Sequence, residues 1–114
     1  MTLVDVSYRP YKQGSSHMIK HYLNVCGHAN YSPHGSDIVC SAISTICQVL
    51  IAQLEHERDA APNRIHVHAC IADGSARVSV DCYKENARVA ALFDMAETGY
   101  KLLAQQYPEH VTMV

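Results

Sequence analysis

Residues 27–44 read GHANYSPHGSDIVCSAIS and join the end of a strand pattern, a loop and the start of a helix pattern. His28 follows the apolar strand pattern, and Cys40 falls in the first turn of the apolar helix pattern. A helix start lowers the pKa of a thiol, because its exposed backbone N–H groups and dipole favour the thiolate. A nucleophilic thiol also needs a proton acceptor within reach. The segment therefore predicts a site in which Cys40 is a nucleophile and His28 is its base.

Other interpretations of the same residues remain open. Cys40 also fits a small buried hydrophobe, although it lies beside the apolar stripe of its helix rather than on it. Asp37 suits three roles: cap of the helix, partner of the His28 imidazole, or shaper of the loop, and its position favours capping. Ser44 either bonds near the thiol or bonds back to a carbonyl of its own helix.

Alternation of apolar and polar residues predicts two β-hairpins, one on each side of this helix. The first pairs residues 3–9 with residues 18–26 across a turn near Gly14. The second pairs residues 65–71 with residues 76–82 across the tight turn Asp73-Gly74.

Apolar residues at helical spacing predict two helices. The first runs from a cap at Ser36 or Asp37 to about Arg58, and the second from about Asn86 to Tyr107. The predicted fold class is α/β (α+β), with the order strand-strand-helix-strand-strand-helix. It has a four-stranded, mainly antiparallel sheet with both helices on one face, in a single domain over residues 1–114.

Composition narrows the class of protein. With 48% hydrophobic and 18% charged residues, the chain is typical of a globular protein. The net charge is −2 without a basic cluster, so we expect no nucleic-acid partner. Five cysteines without a Cys-x-x-Cys spacing indicate reduced thiols, which favours a cytoplasmic location. We expect no secretory signal, because the N-terminus has no basic segment followed by a long apolar run. We expect no membrane association, because the apolar stretch near residues 46–52 is too short to span a bilayer.

Two other function classes remain as alternatives. His66, His68 and Cys70 share one face of a predicted strand, and Asp81 on the next strand could join them as ligands of a metal such as zinc. The chain could also be a non-catalytic peptide- or ribosome-binding module in which Cys40 is core. A cysteine nucleophile with a histidine base needs no cofactor and no metal.

The pattern Gly27-His28-Ala29 … Gly35-x-Asp37-Ile38-Val39-Cys40-x-Ala42-x-Ser44 resembles the bacterial ribosomal-processing cysteine protease family. The resemblance covers essentially the whole chain. It implies a small homodimeric α/β protein that removes an N-terminal extension from a large-subunit ribosomal protein. By this resemblance Cys40 is the nucleophile of a Cys/His dyad, His28 is the general base and acid, and Asp37 and Ser44 support them.

The chain departs from the family pattern at Ser41, where family members often have alanine, and in the composition of its second hairpin. These departures leave the substrate open between a ribosomal protein and another protein, such as a phage structural protein.

We expect three structural features: a mobile lid, a backbone oxyanion site and a homodimer. The loop of residues 29–36, with Gly27 before it and Gly35 near its end, acts as a mobile lid that orders on the substrate peptide. Backbone N–H groups at the helix start, including that of Cys40, hold the oxyanion. A homodimer buries apolar residues that one small sheet leaves uncovered. These residues are Ile38, Val49, Ile51, Met95 and Leu102.

Overall fold

Two hairpins and two helices form most of the fold, as the sequence predicts. The computed structural model describes all 114 residues. Its elements are β1 (Thr2–Gln13), β2 (Ser16–Cys26), α1 (Ile38–Ala60), β3 (Ile65–Ala72), β4 (Ser75–Tyr83), α2 (Ala87–Gln106) and β5 (Val111–Met113). The strand order in the single sheet is β3-β4-β2-β1-β5, so the two hairpins join through an antiparallel β2–β4 pair.

The sheet has five strands and is mixed, so the prediction of four mainly antiparallel strands is wrong in its strand count. β5 pairs in parallel with the start of β1, where Thr2 lies opposite Val111. A three-residue strand is too short to show alternation in the sequence. Its pairing depends on α2 returning the chain to the edge of β1, which is a tertiary effect.

Both helices cover one face of the sheet and bury the predicted apolar stripes. The two helices approach closely at Gly99, where a Cβ atom would lie 3.0 Å from Cδ1 of Ile46. The buried Tyr100 hydroxyl donates a hydrogen bond to the Ile43 carbonyl of α1 at 3.1 Å. The core contains Val4, Leu23, Val25, Val39, Ile43, Leu50, Leu54, Ile65, Val78, Val80, Val89, Phe93, Ala96 and Tyr100.

α1 is long and apolar enough to cross a membrane by length and composition alone, so the expectation that its apolar stretch is too short to span a bilayer is wrong. In the fold, one stripe of this helix, which includes Val39, Leu50 and Leu54, is buried in the core. One helix of this kind is weak evidence for a membrane span, because the core helix of a folded protein meets the same criterion. Its outer face still exposes Ile38 and Val49.

The register between β2 and β4 positions the residue that follows β2. Cys26 lies opposite Ser75, so the β3–β4 turn lies beside Gly27 and His28. The Gly27 N–H donates to the Gly74 carbonyl at 2.8 Å and fixes this contact. The second hairpin therefore forms a wall next to His28.

Gly27 occupies a position that no other residue fits. Its φ is +93°, which L side chains rarely adopt, and a Cβ atom there would collide with the carbonyl oxygen of Met1. The Thr2 hydroxyl also donates to the Gly27 carbonyl at 3.1 Å. The glycine thus lets β1 pack closely against the end of β2.

Candidate active site

A cleft of about 190 Å³ lies between the first half of α1 and the β3–β4 turn. His28 and Cys40 both line it, together with His34 and Ser44. His28, His34 and Cys40 also line an adjoining depression toward Asp37. The fold therefore brings the two predicted catalytic residues to one cleft from a strand end and a helix start.

Cys40 is the thiol best suited to react in this cleft. All five cysteines are free, and Cys40 is partly exposed in the first turn of α1. Cys47 also lines the cleft but is buried, and burial raises the pKa of its thiol. Burial, with a smaller effect from the neighbouring Asp81 carboxylate, raises the pKa of Cys82 to about 11.

The carboxylate closest to the His28 imidazole belongs to Asp73. Its Oδ1 lies 3.8 Å from Nε2 of His28. The His28 ring packs against the turn, since a Cβ atom at Gly74 would lie 2.9 Å from the same nitrogen. The side chains of His28 and Asp73 are 45% and 81% exposed, so solvent screens their attraction strongly. The sequence indicated Asp73 only as a turn residue, because its approach to His28 depends on the β2–β4 register.

Asp37 is a helix cap and a loop anchor. Its Oδ1 accepts from the N–H groups of Val39 at 2.9 Å and Cys40 at 3.0 Å. Its Oδ2 accepts from the N–H groups of Tyr31 at 2.8 Å and Ser32 at 3.2 Å. Both oxygens of this buried carboxylate are thus occupied by backbone. Asp37 therefore has two of the three roles considered for it, since it caps the helix and shapes the loop. The third role, partner of the His28 imidazole, is not observed.

The expected oxyanion donor at Cys40 is wrong, because its N–H donates to Asp37. The N–H of Ser41 is occupied as well, by the Asp37 carbonyl at 3.1 Å. Two side-chain donors on the same face of α1 remain in the cleft, the Ser44 hydroxyl and the Gln48 amide. Ser44 shows neither of the bonds considered for it, and its hydroxyl is free to meet a bound group.

Comparison with known proteins identifies the family. Residues 8–112 match the family described as cysteine protease Prp. The chain belongs to the cysteine protease Prp family. No curated protein matches it in sequence.

Solved structures show the same fold. One is the essential ribosomal processing protease Prp from S. aureus with a covalently linked product peptide, with a TM-score of 0.71, 15% identity, and coverage of 99% of this chain and 97% of that chain. SMU.848 from Streptococcus mutans gives a TM-score of 0.61 at 24% identity, covering 99% and 91%. The S. aureus protease with a substrate peptide gives 0.62 at 13%, covering 100% and 98%.

The loop that precedes Cys40 is anchored at its start. Ala29 is buried, and its carbonyl lies 2.8 Å from Nδ1 of His110. The Tyr31 ring packs edge-on against Tyr107 at 5.3 Å and against His110 at 5.4 Å between ring centroids. The exposed end of the loop contains Gly35, whose φ is +92°. Any closing motion is therefore expected in residues 33–36 rather than in the whole loop.

The three residues considered as metal ligands on β3 do not converge. His66 lies opposite Asp81, whereas Cys70 lies opposite Arg77, four residues further along the strand. Four residues of strand span about 13 Å, too far for one ion. His68 alone approaches Asp81, at 3.9 Å.

A different group, which lies at the cleft of this Prp family member, could hold a cation. Ligand atoms of His28, His34 and Asp73 lie within 4.8 Å of one another, and the two imidazoles meet edge-on with centroids 6.0 Å apart. Zinc ligands lie about 2 Å from the metal, so the three side chains would have to close further around an ion. His34 is also the second histidine that lines the cleft.

Replacing Asp37 by alanine is expected to destabilise the protein by about 1–2 kcal/mol, the upper range for loss of a helix cap. Burial raises the pKa of Asp37, but its backbone hydrogen bonds outweigh this effect and leave the pKa below its ordinary value of 3.8. The stabilisation is therefore present above that ordinary pKa and is lost as the pH falls through the lower, folded-state pKa. Denaturant unfolding of wild type and Asp37→Ala across this range should show the two stabilities converging in acid. An equal difference at every pH would contradict the charge-based account.

Proposed function

We propose that this chain is an endopeptidase that removes the N-terminal extension of a large-subunit ribosomal protein, with Cys40 as nucleophile and His28 as general base and acid. The observation that carries this proposal is the meeting of His28 and Cys40 in one cleft of a Prp family member. The S. aureus protease of the same fold has been solved with a covalently linked product peptide and with a substrate peptide. A peptide substrate is therefore consistent with the family and the cleft.

In the proposed reaction, His28 accepts the thiol proton of Cys40, and the thiolate attacks the carbonyl carbon of the scissile peptide bond. The Ser44 hydroxyl and the Gln48 amide are the side-chain donors available to the oxyanion. His28 then gives its proton to the leaving amine as the C–N bond breaks and a thioester forms. Water, deprotonated by His28, attacks the thioester, releases a carboxylic acid and restores the thiol.

The wall formed by β3 suits an extended peptide. β3 is the edge strand of the sheet, so one side of its backbone is unpaired. Ile71 lies on this strand, lines the cleft, and is 59% exposed. An extended peptide can add to such an edge by main-chain hydrogen bonds while apolar side chains contact Ile71.

The substrate is tested by incubating the protein with ribosomal protein precursors and measuring the products by mass spectrometry. We expect one cut that removes the extension of a precursor and no cut in the mature form. A precursor with a scrambled extension of the same composition is the matched control. Cleavage of a phage structural protein instead, with every ribosomal precursor intact, would contradict the proposed substrate but not the dyad.

The loop preceding α1 is proposed to close on the bound peptide. In hydrogen exchange, the amides of residues 33–36 should become more protected when the Cys40→Ala protein binds a peptide of the extension. The buried and anchored Ala29 should change little, which provides an internal control. Gly35→Val should slow cleavage more than it lowers stability, because its side chain resists the positive φ of the hinge while meeting no other atom. Equal protection with and without peptide would argue against closure.

We propose a homodimer formed by the outer helix faces, in a cytoplasmic protein with reduced thiols. Ile38, Val49, Met95 and Leu102 are each at least half exposed. Ile51, which was also expected at the dimer interface, is not part of this exposed face, because it is partly buried against the core. Sedimentation at micromolar concentration should give the mass of a pair, and Met95→Glu with Leu102→Glu should shift it toward the monomer. A wild-type monomer would rule out this assembly.

A further inference from the structure

A second groove, of about 750 Å³, lies between the β1–β2 hairpin and the start of α2. It shares no residue with the active-site cleft. Its floor is aromatic: the His21 ring stacks on Phe93 with centroids 5.2 Å apart, and Tyr8 lies 5.8 Å away on a tilt. None of the residues proposed for the reaction or for the dimer lines this groove.

His21 is a buried polar side chain without a partner. His21 is 8% exposed, and its imidazole makes no hydrogen bond within the protein. Every fully buried side-chain nitrogen or oxygen in the protein has a hydrogen-bond partner. Because the His21 imidazole has none, its nitrogens are not fully buried, and they are accessible from the groove. Burial lowers the pKa of His21, and the nearby Asp94 carboxylate offsets this only in part. The imidazole is therefore neutral near pH 7 and keeps one nitrogen as an acceptor.

The rim of the groove is acidic. Glu85, Asp94 and Glu97 line it, and no lysine or arginine does. Lys101 pairs with Glu97 at 3.1 Å, but Glu85 and Asp94 have no cationic partner. The groove therefore has an aromatic floor with an acceptor nitrogen, and two unpaired carboxylates lie above it. Such a groove is complementary to a flat cation that carries several hydrogen-bond donors.

We propose that this groove binds an arginine side chain of a basic polypeptide segment. A guanidinium stacks on aromatic rings and donates up to five hydrogen bonds in its plane, so it can meet the floor and the rim together. Lysine carries a compact charge that cannot stack in this way. The inference does not depend on which protein the active site cleaves, because the groove and the cleft are separate.

The test measures binding of a fluorescent, capped tetra-arginine peptide by anisotropy at low salt. A tetra-citrulline peptide is the control, since citrulline keeps the shape of arginine without its charge. Asp94→Asn and Glu85→Gln should each weaken binding of the arginine peptide about tenfold, as expected for loss of a charge-assisted contact. Asp59→Asn, an exposed acidic site near the end of α1, should leave binding unchanged. These surface substitutions remove no buried group, so the fold should survive.

Nuclear magnetic resonance locates the bound peptide. Shifts at His21, Ala90 and Phe93 on addition of the arginine peptide, absent with the citrulline peptide, would support the inference. Equal binding of both peptides, or binding unaffected by Asp94→Asn, would overturn it. The arginine peptide could also fail to bind while His21 is protected in a way that is lost on dilution. This result would show that a second copy of the chain covers the groove, and it would overturn the inference as well.

Discussion

Cys40→Ala is expected to abolish cleavage while the fold remains intact. The side chain lies in the first turn of α1, lines the cleft with His28, and is only partly buried, so its removal leaves no large cavity. Cys40→Ser should also be close to inactive, because a hydroxyl holds its proton far more tightly than a thiol. Mass spectrometry of the cleaved precursor measures the activity, and circular dichroism confirms the fold.

Cys47→Ala is the matched control for this experiment. Its thiol also lines the cleft but is buried, with a raised pKa, so its loss should leave most of the activity. Wild-type cleavage by a folded Cys40→Ala protein would rule out the proposed nucleophile. Loss of activity only in Cys47→Ala would assign the nucleophile to Cys47, about two helical turns further along α1.

His28→Ala is expected to lower the turnover rate by about a hundred- to ten-thousand-fold, the range for loss of a general base or acid. Binding of the substrate peptide should persist, because the walls formed by α1 and β3 remain. His34→Ala is the matched comparison, since this second imidazole lines the same cleft. A larger loss in His34→Ala than in His28→Ala would reassign the base.

Asp73→Asn separates positioning of His28 from the proton transfer itself. Because the Asp73 side chain is 81% exposed, we expect the cleavage rate to fall only a few-fold. A loss as large as that of His28→Ala would make Asp73 an essential third member of the site. An unchanged cleavage rate would show that the 3.8 Å contact has no role in catalysis.

The local parts of this protein could be predicted from its sequence, and the parts that depend on register could not. Alternation and helical spacing gave both hairpins and both helices, and the position of Asp37 gave the cap. Asp73 and Gly74 were visible only as a turn, because their contact with His28 arises from pairing between strands far apart in sequence. β5 was missed for the same reason.

The oxyanion donor shows how one correct local prediction can exclude another. Asp37 was expected to cap the helix, and the Cys40 N–H was expected to stay available for substrate. A capping carboxylate accepts from the N–H groups of the first turn, so both cannot hold in the same structure. Donors on the α1 face, such as Ser44, follow from helix geometry once the wall opposite them is known.

The shared carboxylate of Asp37 makes the loop and the nucleophile's helix thermodynamically linked. One oxygen holds the loop at Tyr31, and the other holds the helix at Val39 and Cys40. Any ligand that favours one arrangement of the loop must then favour one arrangement of the helix start, and the reverse holds with the same free energy. Chemical modification of the Cys40 thiol should therefore change the affinity for a peptide that contacts only the loop.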